Sequence, residues 1–149
     1  RWASRARMAH LGYVCRMAVS AHQELVSGRM RDRVASLIHE HGNIEAASDY
    51  ALGCGNEPQM ALQIVGSLML YFKAHGAYAF GKRLCERALA KAPSQRTRLL
   101  CLALTCQGVI GLTIDNRPWV GDVLQQDVTI AQEVGDQRLQ ADASVNLAL

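Results

Sequence analysis

The chain of 149 residues carries a net charge of +3, half of its residues are apolar, and only 5% are aromatic. This length fits one domain or one block of repeats, and the abundance of Ala, Leu and Gly favours closely packed helices over a β-sandwich. The longest apolar windows contain Gln, Lys or Arg, so none resembles the roughly 20 apolar residues of a membrane span. No apolar run follows the arginine-rich start, as it would in a signal peptide. We therefore expect an all-α, cytoplasmic protein that does not enter a membrane.

The first 55 residues are predicted to form three leading helices. The first runs from Ser4 to Val26, and the second runs from Met30 to His41. Asn43 suits the N-cap of a third, shorter helix that continues through Leu52, since its side chain can accept a hydrogen bond from a free backbone N–H of the first turn.

Positive charge is concentrated in this leading region. Residues 1–33 hold seven arginines against two acidic residues, a net charge of +5. Such a stretch can contact nucleic acid or an acidic neighbouring domain, or it can be a solvated helix face beside a domain junction. We expect the solvated face, and no direct binding of nucleic acid by this chain.

The best-defined unit lies between residues 56 and 93, where apolar residues recur at steps of three and four along two successive helices. Pro58 suits the first turn of the first helix, because an N–H at that position would have no partner within the helix. Gly76 can adopt the left-handed conformation that ends a helix, and Pro93 stops the second helix. We expect the two helices to be antiparallel.

This helical pair resembles a tetratricopeptide (TPR) repeat, a helix–turn–helix unit of about 34 residues. The positions that match the repeat are Leu68, Phe72, Gly76, Tyr78, Ala88 and Pro93. The positions that depart from it are Val65, Met69, Gly81 and Cys85, where a TPR has Trp, a small residue, Ala and an aromatic residue. An ordinary helical hairpin in a globular bundle is the alternative.

Residues 94–135 are predicted to form a second pair of helices. Ser94 is a candidate N-cap of a long helix that reaches about Ile114, and a turn at Asp115–Pro118 leads into the next helix. Asp127 stands where a TPR has alanine, so this pair matches the repeat less well than the central one.

Residues 136–149 resemble the opening helix of a third repeat. The chain, residues 1–149, is thus predicted to be one TPR-like domain, a right-handed superhelix of about eight antiparallel helices. Because it begins with Arg1 and ends at Leu149 inside an unfinished helical pattern, we expect a fragment of a longer protein. An uncapped last helix would expose apolar side chains, and we expect homodimers to form through it.

Short motifs spread over roughly residues 8–149 also resemble those of a known family. The run Leu37-x-x-Glu40-x-x-Asn43-Ile44-x-Ala46-Ala47, followed by Tyr50-Ala51-Leu52, is similar to an E-x-x-N-L-x-x-A-L-x-W-A-L pattern. That pattern precedes TPR-like repeats in large bacterial transcription regulators, which join a DNA-binding domain, a STAND-type P-loop NTPase domain and a helical repeat region. Ser48 and Tyr50 replace the Leu and the Trp of that pattern.

The resemblance implies a role in signal transduction. The repeats of such a regulator would sense a protein or a small molecule and control the NTPase and DNA-binding domains of the same protein. The sequence has no G-x-x-x-x-G-K-[ST] phosphate loop and no defensible helix-turn-helix. ATP hydrolysis and DNA binding are therefore not assigned to these residues.

No set of residues predicts catalysis, a cofactor or a metal site. The five cysteines are odd in number and lack C-x-x-C spacing, so we expect buried free thiols. His39 and His41 are two positions apart on a helix and would make a poor metal pair. Asp115, Asp122 and Asp127 flank a turn and a helix start, and we expect their carboxylates to face water or to interact with the helix dipole.

A helical solenoid binds its partners on its concave side, and this side is lined by the first helix of each pair. The predicted binding residues are those on this side that packing does not need, namely Gln63, Leu70, Lys73, Arg98, Thr105, Val109 and Thr113. We expect a non-catalytic domain that binds a protein segment there, or the NTPase or DNA-binding domain of its own chain. A small-molecule effector site is the alternative, and it predicts a closed apolar pocket with a few polar groups.

Overall fold

The computed structural model describes residues 1–114 and 118–149, and all regular elements in these residues are α-helices, which confirms the all-α prediction. The helices are α1 (Trp2–Val26), α2 (Met30–Ile38), α3 (His41–Leu52), α4 (Pro58–Ser67), α5 (Met69–His75), α6 (Tyr78–Ala90), α7 (Arg98–Ile114), α8 (Pro118–Val134) and α9 (Gln137–Ala148). The predicted turn that follows α7 lies, apart from Pro118, outside the described residues, and so does the predicted position of Asp115.

The described residues form nine helices instead of about eight, because the first helix of the central pair is interrupted. α4 ends at Ser67, Leu68 has a φ of −93° and a ψ of 2°, and α5 begins at Met69. The interruption follows Gly66 and Ser67, and pairs of Gly and Ser are a frequent cause of sharp kinks in helices. Leu68 itself is fully buried in the core.

Two of the predicted N-caps are wrong. α3 begins at His41 with Glu40 at its N-cap, and the Asn43 side chain donates a hydrogen bond to the Glu40 carboxylate at 2.8 Å. α7 begins later than Ser94 predicts, directly after Thr97, whose hydroxyl accepts a hydrogen bond at 3.2 Å from a backbone N–H of the first turn. Polar residues are frequent around both starts, so capping preference alone does not select among them.

Two other helix ends agree with the predictions. Gly76 follows α5 in the left-handed conformation, with a φ of +71°. Asp136 caps α9, because its side chain accepts hydrogen bonds from the backbone N–H groups of Arg138 and Leu139 at 3.0 and 3.1 Å. The last helix therefore begins at Gln137, within the segment 136–149 that was predicted for it.

The helices pack around one continuous core in which α4 and α7 are central. α1, α4, α7 and α9 contact one another in succession and form a row. α3 packs against α1, α4 and α6, whereas α6 also packs against α4 and α7, and α8 packs against α7 and α9. α2 and α5 contact each other beside α1. The buried apolar residues extend from Leu11 in α1 to Ala143 in α9.

All five cysteines are free thiols, as predicted, and four of them are buried. Burial raises the pKa of the Cys15 thiol to about 11. The Sγ atoms of Cys85 and Cys106 lie 3.4 Å apart between α6 and α7. Cys54 corrects the prediction of buried thiols, because it is exposed in the turn between α3 and α4.

Candidate binding cleft

A cleft with a volume of about 700 Å³ runs along the row of helices that contact one another in succession. Its walls come from α1, α4, α5, α7 and α9. The residues that line it are His22, Gln23, Val26, Gly66, Met69, Leu70, Lys73, Arg98, Leu102, Thr105, Val109, Arg138, Leu139, Asp142, Val145 and Asn146.

The structure brings five of the seven predicted binding residues together in this cleft, and these are Leu70, Lys73, Arg98, Thr105 and Val109. Gln63 and Thr113 do not line it. Gln63 is half-buried on α4, and the Thr113 hydroxyl at the end of α7 donates a hydrogen bond to the Val109 carbonyl at 3.0 Å. The rule that the first helix of each pair lines the concave side identifies helices that line the cleft. It does not identify which residues of those helices face the cleft.

The floor of the cleft forms where α4 and α7 approach closely. A Cβ atom on Gly66 would lie 2.7 Å from the Cβ atom of Leu102, which is closer than carbon atoms pack. Glycine at this position therefore permits the approach of the two helices. Val109 and Leu139 are buried and continue the apolar floor towards α9.

Charged side chains lie on the rim of the cleft. Lys73, Arg98, Arg138 and Asp142 are all exposed to solvent. Arg98 Nε lies 3.3 Å from Asp136 Oδ2, and an exposed pair of this kind contributes little to stability. The rim therefore offers cationic groups in excess over acidic ones, beside an apolar floor.

The walls from α1 and α9 were missed by the sequence analysis. His22, Gln23 and Val26 come from the last turns of α1, and Val145 and Asn146 come from α9. These residues lie beside the core-facing stripes of their helices, so hydrophobic periodicity does not select them. A usable signal for α9 was the prediction of residues 136–149 as the opening helix of a repeat, because first helices line the concave side.

His22 provides a polar atom without a hydrogen-bond partner in the wall of the cleft. Its Nδ1 atom is buried and forms no hydrogen bond with any residue that the structure describes. An unsatisfied buried polar group costs about 1–3 kcal/mol. A ligand that hydrogen-bonds to this nitrogen would therefore recover part of that cost.

A buried carboxyl group lies directly behind the wall. We expected Asp127 to face water or a helix dipole, but it is 0% exposed and lies between α8 and α7. The hydroxyl of Thr105 lies 2.6 Å from one carboxyl oxygen, and the Cys101 thiol lies 2.8 Å from the other. Burial raises the pKa of Asp127, and the hydrogen bonds from Cys101 and Thr105 oppose this shift only in part.

Helical spacing explains why Asp127 is buried and does not face water. Asp127 follows Leu124 by three positions and precedes Ala131 by four, and all three residues are buried. Residues at these spacings share one face of a helix. Asp127 therefore lies on the core-facing side of α8, where the TPR pattern has alanine.

No protein family, curated protein or solved structure matches this chain. In residues 1–114 and 118–149, no group of three or more His, Cys, Asp or Glu side chains is arranged to hold a metal ion. Within the same residues, none of the helices has both the length and the apolar character required to span a membrane. The cleft itself has an apolar floor, a charged rim and a buried imidazole nitrogen without a partner among the described residues.

Proposed function

We propose that the helices form a TPR-like, right-handed superhelix. In this arrangement α1, α4, α7 and α9 are the first helices of successive pairs, and α3, α6 and α8 are the second helices. The order of contacts supports this assignment, because each first helix packs against the next first helix and against the second helices on either side. α5 continues the interrupted first helix that α4 begins, and α2 is an additional short element that the sequence pattern of a repeat does not contain.

We further propose that this chain is a non-catalytic interaction domain of a bacterial transcription regulator, and that it binds a protein segment in the cleft. The observation that carries this proposal is the exposure of the walls. Seven of the sixteen lining residues are exposed, among them Lys73 on α5 and Val145 on α9. A groove that is open in this way admits an extended chain or a helix, whereas a small-molecule site encloses most of its ligand.

The alternative is a small-molecule effector that acts on NTPase and DNA-binding domains elsewhere in the same protein. Two observations favour it: the volume of about 700 Å³ lies within the usual range for small-molecule sites, and His22 Nδ1 has no partner among the described residues. The extent of the exposed walls leads us to prefer the protein segment.

Selection from a random-peptide display library tests the proposal, because it requires no candidate partner. The bait is the 149-residue protein, and the counter-bait is the double variant Lys73→Glu/Val145→Glu. Both positions are exposed and lie on different walls of the cleft, so the variant places two carboxylates at the rim without removing a core side chain. We expect wild-type binders that lose about tenfold or more in affinity for this variant.

The matched control is Lys91→Glu/Ile38→Glu, which replaces one lysine and one β-branched apolar residue at exposed positions outside the cleft. The control should retain the binders, and Gln63→Ala should retain them as well, whereas Lys73→Ala should weaken them. The proposal is contradicted if every selected peptide binds the variant Lys73→Glu/Val145→Glu as tightly as it binds the wild type. If peptides fail but a small molecule raises the melting temperature of the wild type and not of the cleft variant, the effector function replaces it.

A further inference from the structure

The outer face of α1 carries a second feature that lies apart from the cleft. Trp2, Arg5, Ala9, Tyr13 and Arg16 are spaced by three or four residues and are all exposed. These positions therefore follow one another along a single face of the helix. We call this face the α1 stripe, and it extends over about 21 Å.

The α1 stripe points away from the core. The buried residues of α1 begin at Leu11 and continue through Val14 and Ala18, on the opposite side of the helix. The first turns are nevertheless attached to the domain, because the Tyr50 hydroxyl donates a hydrogen bond to the Ser4 carbonyl at 3.4 Å. The stripe is thus a helix ridge that is held in place and open to solvent.

Large aromatic side chains are unusually exposed on this ridge. Trp2 is 86% exposed and Tyr13 is 49% exposed. Trp, Tyr and Arg are the residue types that contribute most often to the affinity of protein interfaces. A row of such residues at helical spacing matches the ridge that one helix presents to the groove of another.

The positive charge of the stripe indicates that its partner carries acidic side chains. The first 23 residues contain four arginines and no acidic residue. Among the residues that the structure describes, neither Arg5 nor Arg16 forms an ion pair. The Arg16 side chain runs along α1 towards the start of the helix, and its guanidinium lies over Gly12. A Cβ atom added to Gly12 would be 3.2 Å from Arg16 Nη1. Both cations can therefore pair with carboxylates of another molecule.

We propose that the α1 stripe docks an α-helix of a partner protein that presents apolar side chains flanked by Asp or Glu. The aromatic residues would pack against the apolar side chains, and Arg5 and Arg16 would pair with the carboxylates. Nucleic acid fits less well. A protein that makes about 6–10 phosphate contacts binds DNA with a strong dependence on salt, whereas the first 23 residues hold four arginines, and residues 34–149 carry a net charge of −2.

The test selects a random-peptide display library at low ionic strength on the cleft variant Lys73→Glu/Val145→Glu, so that cleft binders are removed at the outset. We expect enriched peptides with a net negative charge and with apolar residues at steps of three and four. Their affinity should fall about tenfold or more on the variant Arg5→Glu/Arg16→Glu. The charge-matched control Arg29→Glu/Arg31→Glu, at exposed positions near α2, should leave it unchanged.

A charge swap distinguishes a direct contact from general attraction. A selected peptide whose Glu residues are replaced by Lys should lose affinity for the arginine-bearing protein and regain it on Arg5→Glu/Arg16→Glu. The proposal is overturned if the enriched peptides are neutral or basic, if the reversed arginines do not matter, or if no peptide is enriched. It is also overturned if a short DNA duplex binds more tightly than any peptide and if this DNA binding is lost in the variant Arg5→Glu/Arg16→Glu. None of these outcomes bears on the cleft, whose own variants are tested separately.

Discussion

The hydroxyl group of Thr105 lies 2.6 Å from a carboxyl oxygen of Asp127 and so connects the wall of the cleft to a buried acid between α7 and α8. The same hydroxyl lies 3.1 Å from the Cys101 carbonyl, to which it can donate instead. The protonation state of Asp127 can therefore change the hydrogen bonding of a residue that lines the cleft.

Asp127 should make the stability of the domain depend on pH. Burial raises its pKa in the folded state, so the folded state binds this proton more tightly than the unfolded chain, where the pKa is about 3.9. The favourable contribution is complete at low pH and is lost as the pH rises through the folded pKa. Asp127→Asn does not titrate and should gain stability relative to the wild type as the pH rises.

Urea unfolding between about pH 4 and pH 8 measures this difference. The control is Asp122→Asn, an exposed position on the same helix, which should show no comparable trend. The result that would contradict this prediction is a constant difference between the free energies of unfolding of Asp127→Asn and the wild type over this range. That result would show that the buried carboxyl group does not titrate there.

His41 should produce the opposite dependence on pH. Its Nε2 atom is hydrogen-bonded to the hydroxyl of Tyr71, and its ring stacks on Phe80 with 4.2 Å between centroids. Burial lowers the pKa of His41, nearby His75 lowers it further, and Glu45 opposes both effects. The unfolded chain therefore binds the proton more tightly, and stability should fall as the pH drops below about 6.5.

The variant His41→Gln should remove this acid-dependent loss, because glutamine does not titrate and can still hydrogen-bond to Tyr71. Thermal unfolding at several pH values, followed by circular dichroism, measures the effect. His39→Gln alters an exposed residue two positions away and serves as the control. Parallel pH profiles for the wild type and His41→Gln would rule out this role.

Two glycine substitutions should have opposite effects on stability, because Gly66 lies where α4 and α7 approach closely and Gly121 lies at an exposed position of α8. Gly66→Ala should destabilise the domain by about 1–3 kcal/mol, because the new methyl group meets Leu102 near its backbone. Gly121 lies at an exposed position of α8, and apart from its own turn of helix no atom of the described residues lies within 4 Å of a Cβ added there. Gly121→Ala should stabilise the domain by about 0.5–1 kcal/mol. Urea denaturation measures both, and equal effects would contradict the packing described here.

Thiol reactivity should separate one cysteine from the other four. Cys54 is exposed, whereas Cys15, Cys85, Cys101 and Cys106 are buried, and a buried thiol reacts only when the structure opens. Ellman's reagent should therefore modify one thiol rapidly in the native protein and all five in denaturant. Cys54→Ser should abolish the rapid phase. Two or more rapid thiols would indicate that the core around α6 and α7 opens readily.

The sequence was sufficient to predict most helices, because apolar residues at steps of three and four define one buried face in each. It did not predict the break at Leu68, which follows Gly66 and Ser67, because a single glycine is often tolerated inside a helix. It also failed for Asp127, since polarity suggested an exposed residue while helical spacing places it in the core. Helical spacing alone therefore indicates that Asp127 is buried, whereas its contacts with Cys101 and Thr105 depend on which helices meet.

For the cleft, the rule that first helices line the concave face was sufficient to find Lys73 on α5, and Thr105 and Val109 on α7. It gave no reason to include His22, because α1 was not assigned to a pair, and it was not applied to Val145 although residues 136–149 were predicted to be an opening helix. The positions of these walls follow from the contacts of α1 with α4 and of α9 with α7.

Mapping of a bound peptide by NMR tests the central claim most directly. The probe is the tightest peptide that the wild type selects and that Lys73→Glu/Val145→Glu rejects. We predict that its addition shifts the methyl signals of Leu70, Leu102 and Val109, which line the cleft, and leaves that of Leu37 in α2 unchanged. Shifts confined to methyl groups outside the cleft, with those of Leu70, Leu102 and Val109 unmoved, would contradict the assignment of this cleft as the binding site.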